Sequence, residues 1–253
     1  MKGKQVIQKE ESVLYQEINK LQGRLKQENG AVDSELVHDI RVICKRVRAE
    51  CTLLKSESER DSLKTLSKEL SAYLSPVRDA EVMLDTFDCS LTDQEKVDFE
   101  ALRARLERVL SEISIDTVLL RGKVKRLKKR VKQLKRINFS ASLSQSVIKK
   151  AEARSRKKYN CLNTAIPDTY HDWRKAVKAY LYLLKLEPQD RSQLSLIKAL
   201  AENLGLLHDL HVFMDTITEQ HVVFKEPLSQ ILIRREKELL SEIHKLAREL
   251  YGQ

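Results

Sequence analysis

Two stretches of this chain occur twice, in the same order and at nearly the same separation. Val37-His38-Asp39-Ile40-Arg41, followed by Lys45, matches Tyr170-His171-Asp172-Trp173-Arg174, followed by Lys178, at an offset of 133 residues. Further on, Leu74 to Phe87 (LSPVRDAEVMLDTF) matches Leu204 to Ile217 (LGLLHDLHVFMDTI) at an offset of 130. Two ordered matches whose offsets differ by only three residues point to an internal duplication, and a duplicated unit constrains architecture more than any sum of local propensities.

The unit is helical. Six Gly, four Pro and 5% aromatic residues in 253 leave few strand formers and few tight turns. Apolar periodicity marks about five helices per half: 5–28, 34–56, 61–74, 76–88 and 93–113, then 144–162, 168–186, 190–204, 206–219 and 227–251. The expected fold is all-α, two helical bundles of about five helices each, with repeats at 1–118 and 119–253. The boundary falls near 115–142, where SEISIDTVLLRG and NFSASLSQS interrupt the pattern. Asp33 or Ser34, and Asp168 or Thr169 after Pro167, are expected N-caps for the two His-Asp helices.

The net charge of +10 is concentrated. From Arg121 to Lys158 there are 16 Lys or Arg against the single acid Glu152, so the rest of the chain is net acidic. Within this stretch Val124, Leu127, Val131 and Leu134 alternate at spacings of three and four, which makes 121–136 an amphipathic helix that joins the halves.

On the first His-Asp helix, Leu36, Ile40, Ile43, Val47 and Leu54 form the core stripe, and His38, Arg41, Lys45, Arg48 and Lys55 fall opposite. On the second, Trp173, Val177, Tyr180 and Leu184 form the stripe, and His171, Arg174, Lys178 and Lys185 fall opposite. A merely solvated face mixes Glu with Lys at i,i+4, whereas like charges side by side cost energy unless an anion offsets them. Each row begins with a His near a helix N-terminus, where free N–H groups and the helix dipole favour an anion. Arginine forks match phosphate oxygens and lysine tolerates several phosphate positions, which suits a repetitive polyanion.

These residues resemble the conserved-histidine α-helical domain family, CHAD, whose hallmark is a His-x-x-Arg helix followed by further Lys or Arg, present twice. Arg78-Asp79-Ala80-Glu81-Val82 and His208-Asp209-Leu210-His211-Val212 resemble that family's second motif, with Glu81, His208 and His211 departing from it. The resemblance covers nearly the whole chain. It implies two bundles related by a pseudo-two-fold axis and a basic groove that binds inorganic polyphosphate without catalysis. By that carry-over His38, Arg41, Lys45 and Arg48 serve one wall, and His171, Arg174, Lys175 and Lys178 the other. Arg78 adds a phosphate contact, as do Arg126, Lys129, Arg130, Arg154 and Lys157 from the basic helices near 121–136 and 149–158. Asp79 and Asp209 are expected to orient basic side chains or cap helices.

Other classes fit less well. Glu57-Ser58-Glu59-Arg60-Asp61 superficially resembles the Glu-x-Glu-x-Lys signature of triphosphate tunnel metalloenzymes, but it lacks the Lys and falls between predicted helices; no Walker loop or nucleophile motif is present, so no enzymatic activity is expected. His208 and His211 lie one turn apart, without the i,i+4 spacing and neighbouring ligands of a metal site, and no cofactor is expected. A nucleic acid or nucleotide is the alternative ligand, although the basic rows are not interleaved with aromatics that stack on bases, and sequence-specific binding is not expected. No apolar run approaches the ~20 residues of a bilayer span. The scattered cysteines Cys44, Cys51, Cys89 and Cys161 suit reduced, half-buried thiols. A cytoplasmic protein is expected, with polyphosphate granules as one place where such binding would be used; no feature names a protein partner.

Overall fold

The computed structural model describes residues 13–28, 32–54, 56–134, 141–163, 166–185, 191–219 and 226–252. In chain order the elements are α1 (Val13–Gln27), α2 (Ser34–Glu50), a 3-10 turn (Cys51–Leu53), α3 (Glu57–Tyr73), α4 (Ser75–Ser90), α5 (Asp93–Asp98), α6 (Glu100–Glu112), α7 (Thr117–Leu134), α8 (Ala141–Asn160), α9 (Pro167–Leu184), α10 (Arg191–Glu219) and α11 (Glu226–Tyr251). Among the described residues there is no strand, so the fold is all-α as the composition implies. No helix among them is long and apolar enough to cross a membrane.

The chain divides into two compact units that interleave along the sequence: one takes 1–74 and 115–139, the other 75–114 and 140–253. Two of these divisions, at 114/115 and 139/140, fall at the edge of and within the 115–142 stretch where the helical pattern is interrupted, and the third falls at the turn between α3 and α4. The first unit comprises α1, α2, α3 and α7; α1 packs on α2 and α7, and α3 on α2 and α7. Its core receives Leu36, Ile40, Ile43 and Val47 from α2, and Val124, Leu127 and Val131 from α7. Each such side chain contributes about 1.5–3 kcal/mol on burial, which is what orients the polar faces outward. Lys55 and the side chain of Leu134 lie outside the described residues.

The second unit pairs α8 with α9, α9 with α10, and α10 with α11, while α4 packs on α6, α10 and α11. Trp173, Tyr180 and Phe213 are among its largest fully buried side chains. Tyr159 lies 5.1 Å from Trp173 and 5.3 Å from Tyr251, and the Ser155 and Tyr251 hydroxyls meet at 2.6 Å, so the buried Tyr251 hydroxyl is satisfied.

Helix ends follow local chemistry, with departures from expectation at α9, α3 and α10, besides a break at Phe99 in the helix expected over 93–113. Asp33 caps α2, accepting from the Leu36 N–H at 2.5 Å. In α9 the capping residue is Ile166, with Pro167 in the first helical turn, and Thr169 instead donates to the Ile166 carbonyl at 2.8 Å. The Glu57–Asp61 run does not lie between helices: it forms the first turn of α3, capped by Ser56, where Glu57 and Glu59 complement the helix dipole. The third departure concerns α10, one continuous helix where two were expected. In the matching stretch of the first half, Pro76 has no N–H with which to continue the ladder, and the chain turns at Leu74 between α3 and α4. Gly205 presents no such obstacle.

Candidate functional site

In the first unit the cationic row of α2 is tied to α3 through one residue. Arg41 Nη1 donates to the Ser71 carbonyl at 3.0 Å and Arg48 Nη1 to its hydroxyl at 3.4 Å. Arg41, Lys45 and Arg48 are half-buried and His38 is exposed. Beneath the row the Cys44 thiol is pushed up to about 11 by burial, although the Ser71 hydroxyl and the charges of Arg48, Arg41 and Lys45 pull the other way. The row thus leans on an apolar floor that raises the electrostatic value of its charges.

The helix α7 carries no acid, but its eight cations do not act alike. Arg121 donates to the Leu25 and Glu28 carbonyls at 2.8 and 2.6 Å, capping the C-terminal end of α1. Lys128 donates to Gln22 Oε1 at 2.6 Å, and Lys123 sits 5.4 Å from the centre of the Tyr73 ring. The expected site residues Arg126, Lys129 and Arg130 are exposed on the same helix.

In the second unit α9, α10 and α4 bring together Arg174, Lys178, His171, His208, Asp209 and Arg78. Burial lowers the Lys178 amine to about 8, helped by the charges of Arg174 and Arg78 and opposed by those of Asp209 and Glu202. Lys178 Nζ would lie 3.6 Å from a Cβ placed on Gly205, so the side chain lies close against the α10 backbone. The charge of Asp209 favours the protonated Lys178. Arg78 is held at 3.3 Å by the buried Glu81 and at 3.4 Å by Asp85, so it enters the cluster already paired.

His171 and His208 meet Nδ1 to Nδ1 at 3.2 Å, with ring centres 4.3 Å apart. Burial, then the charges of Arg174, His171, His211 and Lys178, lowers His208 to about 3. His171 is lowered by burial and by Arg174 and Lys175. At neutral pH the two imidazoles are neutral, one donating and the other accepting, so they offer hydrogen bonds while Arg174 and Lys178 supply charge. Among the described residues no group of three or more His, Cys, Asp or Glu could hold a metal ion. His211 is drawn to Glu236 instead, at 2.6 Å.

His208 is the residue that sequence reasoning left out of the site. As a departure from a motif it carried little weight; its equivalence to Arg78 in the second repeated segment was the available signal. The remaining expected residues are dispersed: Arg154 and Lys157 are exposed on α8, and Lys175 is spent on Asp172 at 3.4 Å.

The motif aspartates share a role that the sequence did not show. Asp39 accepts from Arg24 at 2.8 Å and Asp172 from Lys158 at 2.9 Å, each fastening its His-Asp helix to the preceding one. Lys158 and Lys175 also hold the Asp172 carboxyl below the usual range.

No curated protein matches the chain. Among solved structures, the CHAD domain from the plant Ricinus communis is similar, with a TM-score of 0.63, 16% identity, and coverage of 95% of this chain and 88% of that one. That likeness concerns the fold. The family model for the CHAD domain matches residues 13–218, so that helices α1 to α10, with both His-Asp helices, fall within it, and the chain belongs to the CHAD domain family.

Proposed function

We propose that this protein binds inorganic polyphosphate without hydrolysing it, through the basic rows of α2 and α9. The observation that carries the reading is the crowding around Lys178: a half-buried amine beside Arg174 and Arg78 in a setting that disfavours its own charge. Such an arrangement is unfavourable in isolation and becomes favourable when an anion arrives. A multivalent chain suits it better than a small anion, because the α2 row repeats the same residue types, and release of condensed counterions grows with the number of phosphates engaged. Membership in the CHAD family supports the choice of ligand. The reading fits a cytoplasmic protein that meets polyphosphate free or in granules.

Binding to polyphosphates of graded length, compared with duplex DNA at physiological salt, tests this reading. Affinity is expected to rise with chain length, to exceed that for DNA, and to fall steeply with salt. Arg41→Glu with Arg174→Glu should weaken it by at least an order of magnitude, on the scale of charged hydrogen bonds. Length-independent affinity, or equal affinity for DNA, would overturn the polyphosphate reading, and phosphate release from polyphosphate with Mg²⁺ would overturn the non-enzymatic one.

A further inference from the structure

One amine of the second unit has both room beside it and neighbours that favour an anion in its place. Lys178 is half-buried on α9, one turn after Arg174 and two turns after His171. A Cβ placed on Gly205 would meet its Nζ at 3.6 Å and, leaving aside the adjoining residues of α10, no other heavy atom of the described residues within 4 Å. The missing side chain of Gly205 thus leaves space for a small group attached to that nitrogen.

Burial and then the Arg174 guanidinium disfavour the proton on Lys178; Arg78 of α4 adds to them, and Asp209 and Glu202 of α10 oppose them. A value of about 8 in place of 10.5 leaves roughly 300-fold more neutral amine at pH 7 than an ordinary lysine has. The neutral amine is the nucleophile. The same surroundings act in reverse on an anion: Arg174 and Arg78 attract a negative group on Nζ, and partial burial strengthens that attraction. An electrophile suited to this place is small, uncharged, able to enter without shedding a hydration shell, and yields an anionic adduct. Carbon dioxide meets all four conditions.

We propose that Lys178 is a carbamylation site, at which the side-chain nitrogen adds carbon dioxide and the carbamate is held beside Gly205 by the charges of Arg174 and Arg78. The nitrogen lone pair forms the N–C bond, one C=O π pair moves to oxygen, and the proton leaving nitrogen passes to water. The step needs no oxidant, reductant or further reactant. It does not rest on the polyphosphate reading, but it replaces a cation of the α9 row by an anion, so on that reading carbon dioxide and polyphosphate should exclude each other.

Equilibrating the full chain with ¹³C-bicarbonate at pH 8, trapping carbamates by O-alkylation with a trialkyloxonium salt and locating the added mass by peptide mass spectrometry tests the site. Lys178 should be trapped at least tenfold more than Lys198 and Lys245, which are exposed, and the difference should vanish in urea. This comparison is made on the unaltered chain and needs no variant to fold. Arg174→Gln restores the proton to the amine and removes the carbamate's counter-charge together, so the trapped fraction should fall about tenfold. Gly205→Ala, with folding monitored by circular dichroism, should lower it severalfold by filling the space. Trapping of Lys178 at the level of Lys198 and Lys245, or a fraction that Arg174→Gln leaves unchanged, would overturn the proposal. A fraction unchanged in Gly205→Ala would overturn the placement of the adduct beside that glycine. If polyphosphate failed to lower the trapped fraction, the polyphosphate reading at α9 would be lost and the carbamate would stand.

Discussion

The Nδ1 atoms of His171 and His208 lie 3.2 Å apart, although the two residues come from different helices and only His171 belongs to the repeated His-x-x-Arg motif. One ring must therefore carry its proton at Nδ1 and the other must leave that nitrogen bare. A second proton on the pair would set two N–H groups against each other beside Arg174 and Lys178.

That arrangement gives stability a pH dependence of definite sign. In the unfolded chain His208 protonates near its ordinary value of 6.5, whereas in the fold it does so only at about 3. Between these values the unfolded state holds the extra proton, so falling pH favours unfolding through this window. In urea titrations from about pH 7 to pH 4, the midpoint of His208→Gln should fall less than that of the parent chain. Parallel curves would show that His208 is not the group responsible.

Lys178 works in the same direction at higher pH. Its folded value of about 8 lies below the ordinary 10.5, so stability should rise as pH climbs from about 8 towards 10.5 and stay flat below that range. Lys178→Met removes the crowded charge and should raise the melting temperature at neutral pH while weakening polyphosphate binding. A variant that loses stability instead would show that Asp209 depends on Lys178 more than Lys178 burdens the site.

Gly205→Ala tests why α10 contains a glycine. The added Cβ meets only Lys178 Nζ, at 3.6 Å, an ordinary contact, and a helix-interior Gly→Ala change stabilises by roughly 0.5–1 kcal/mol. The expected result is a melting temperature a few degrees higher with weaker polyphosphate binding, because the methyl group further desolvates the amine. Unchanged affinity would place the glycine outside the site's requirements.

Thiol reactivity should divide the cysteines into two classes. Cys44 and Cys51 are buried, with Cys44 pushed up to about 11 and Cys51 raised as well, while Cys89 and Cys161 are exposed. A disulfide reagent at pH 8 should label two thiols promptly and the other two only on unfolding. Prompt labelling of Cys44 would mean that the apolar floor beneath the α2 row opens readily.

The all-helical fold and both cationic rows were legible in the sequence because one-sided burial leaves a 3.6-residue period, as Leu36, Ile40, Ile43 and Val47 show. Gly205 misled, whereas Pro76 did not. A break was expected at Gly205, yet α10 runs through it, since glycine keeps its N–H; proline at the matching turn does break the helix, through its missing N–H. The pairing of His208 with His171 was not legible, since it depends on how α9 packs against α10 and no local pattern encodes that. The sum of charges in α7 concealed that Arg121 and Lys128 hold α1.

The depressed amine of Lys178 also bears on calorimetry of the ligand. Near pH 8 about half of these side chains lack their proton, and an arriving polyanion restores it by drawing hydrogen ions from the buffer. The heat released on mixing will then differ between buffers of high and low ionisation enthalpy, although the equilibrium is the same, and the slope of that difference counts the protons captured per binding event.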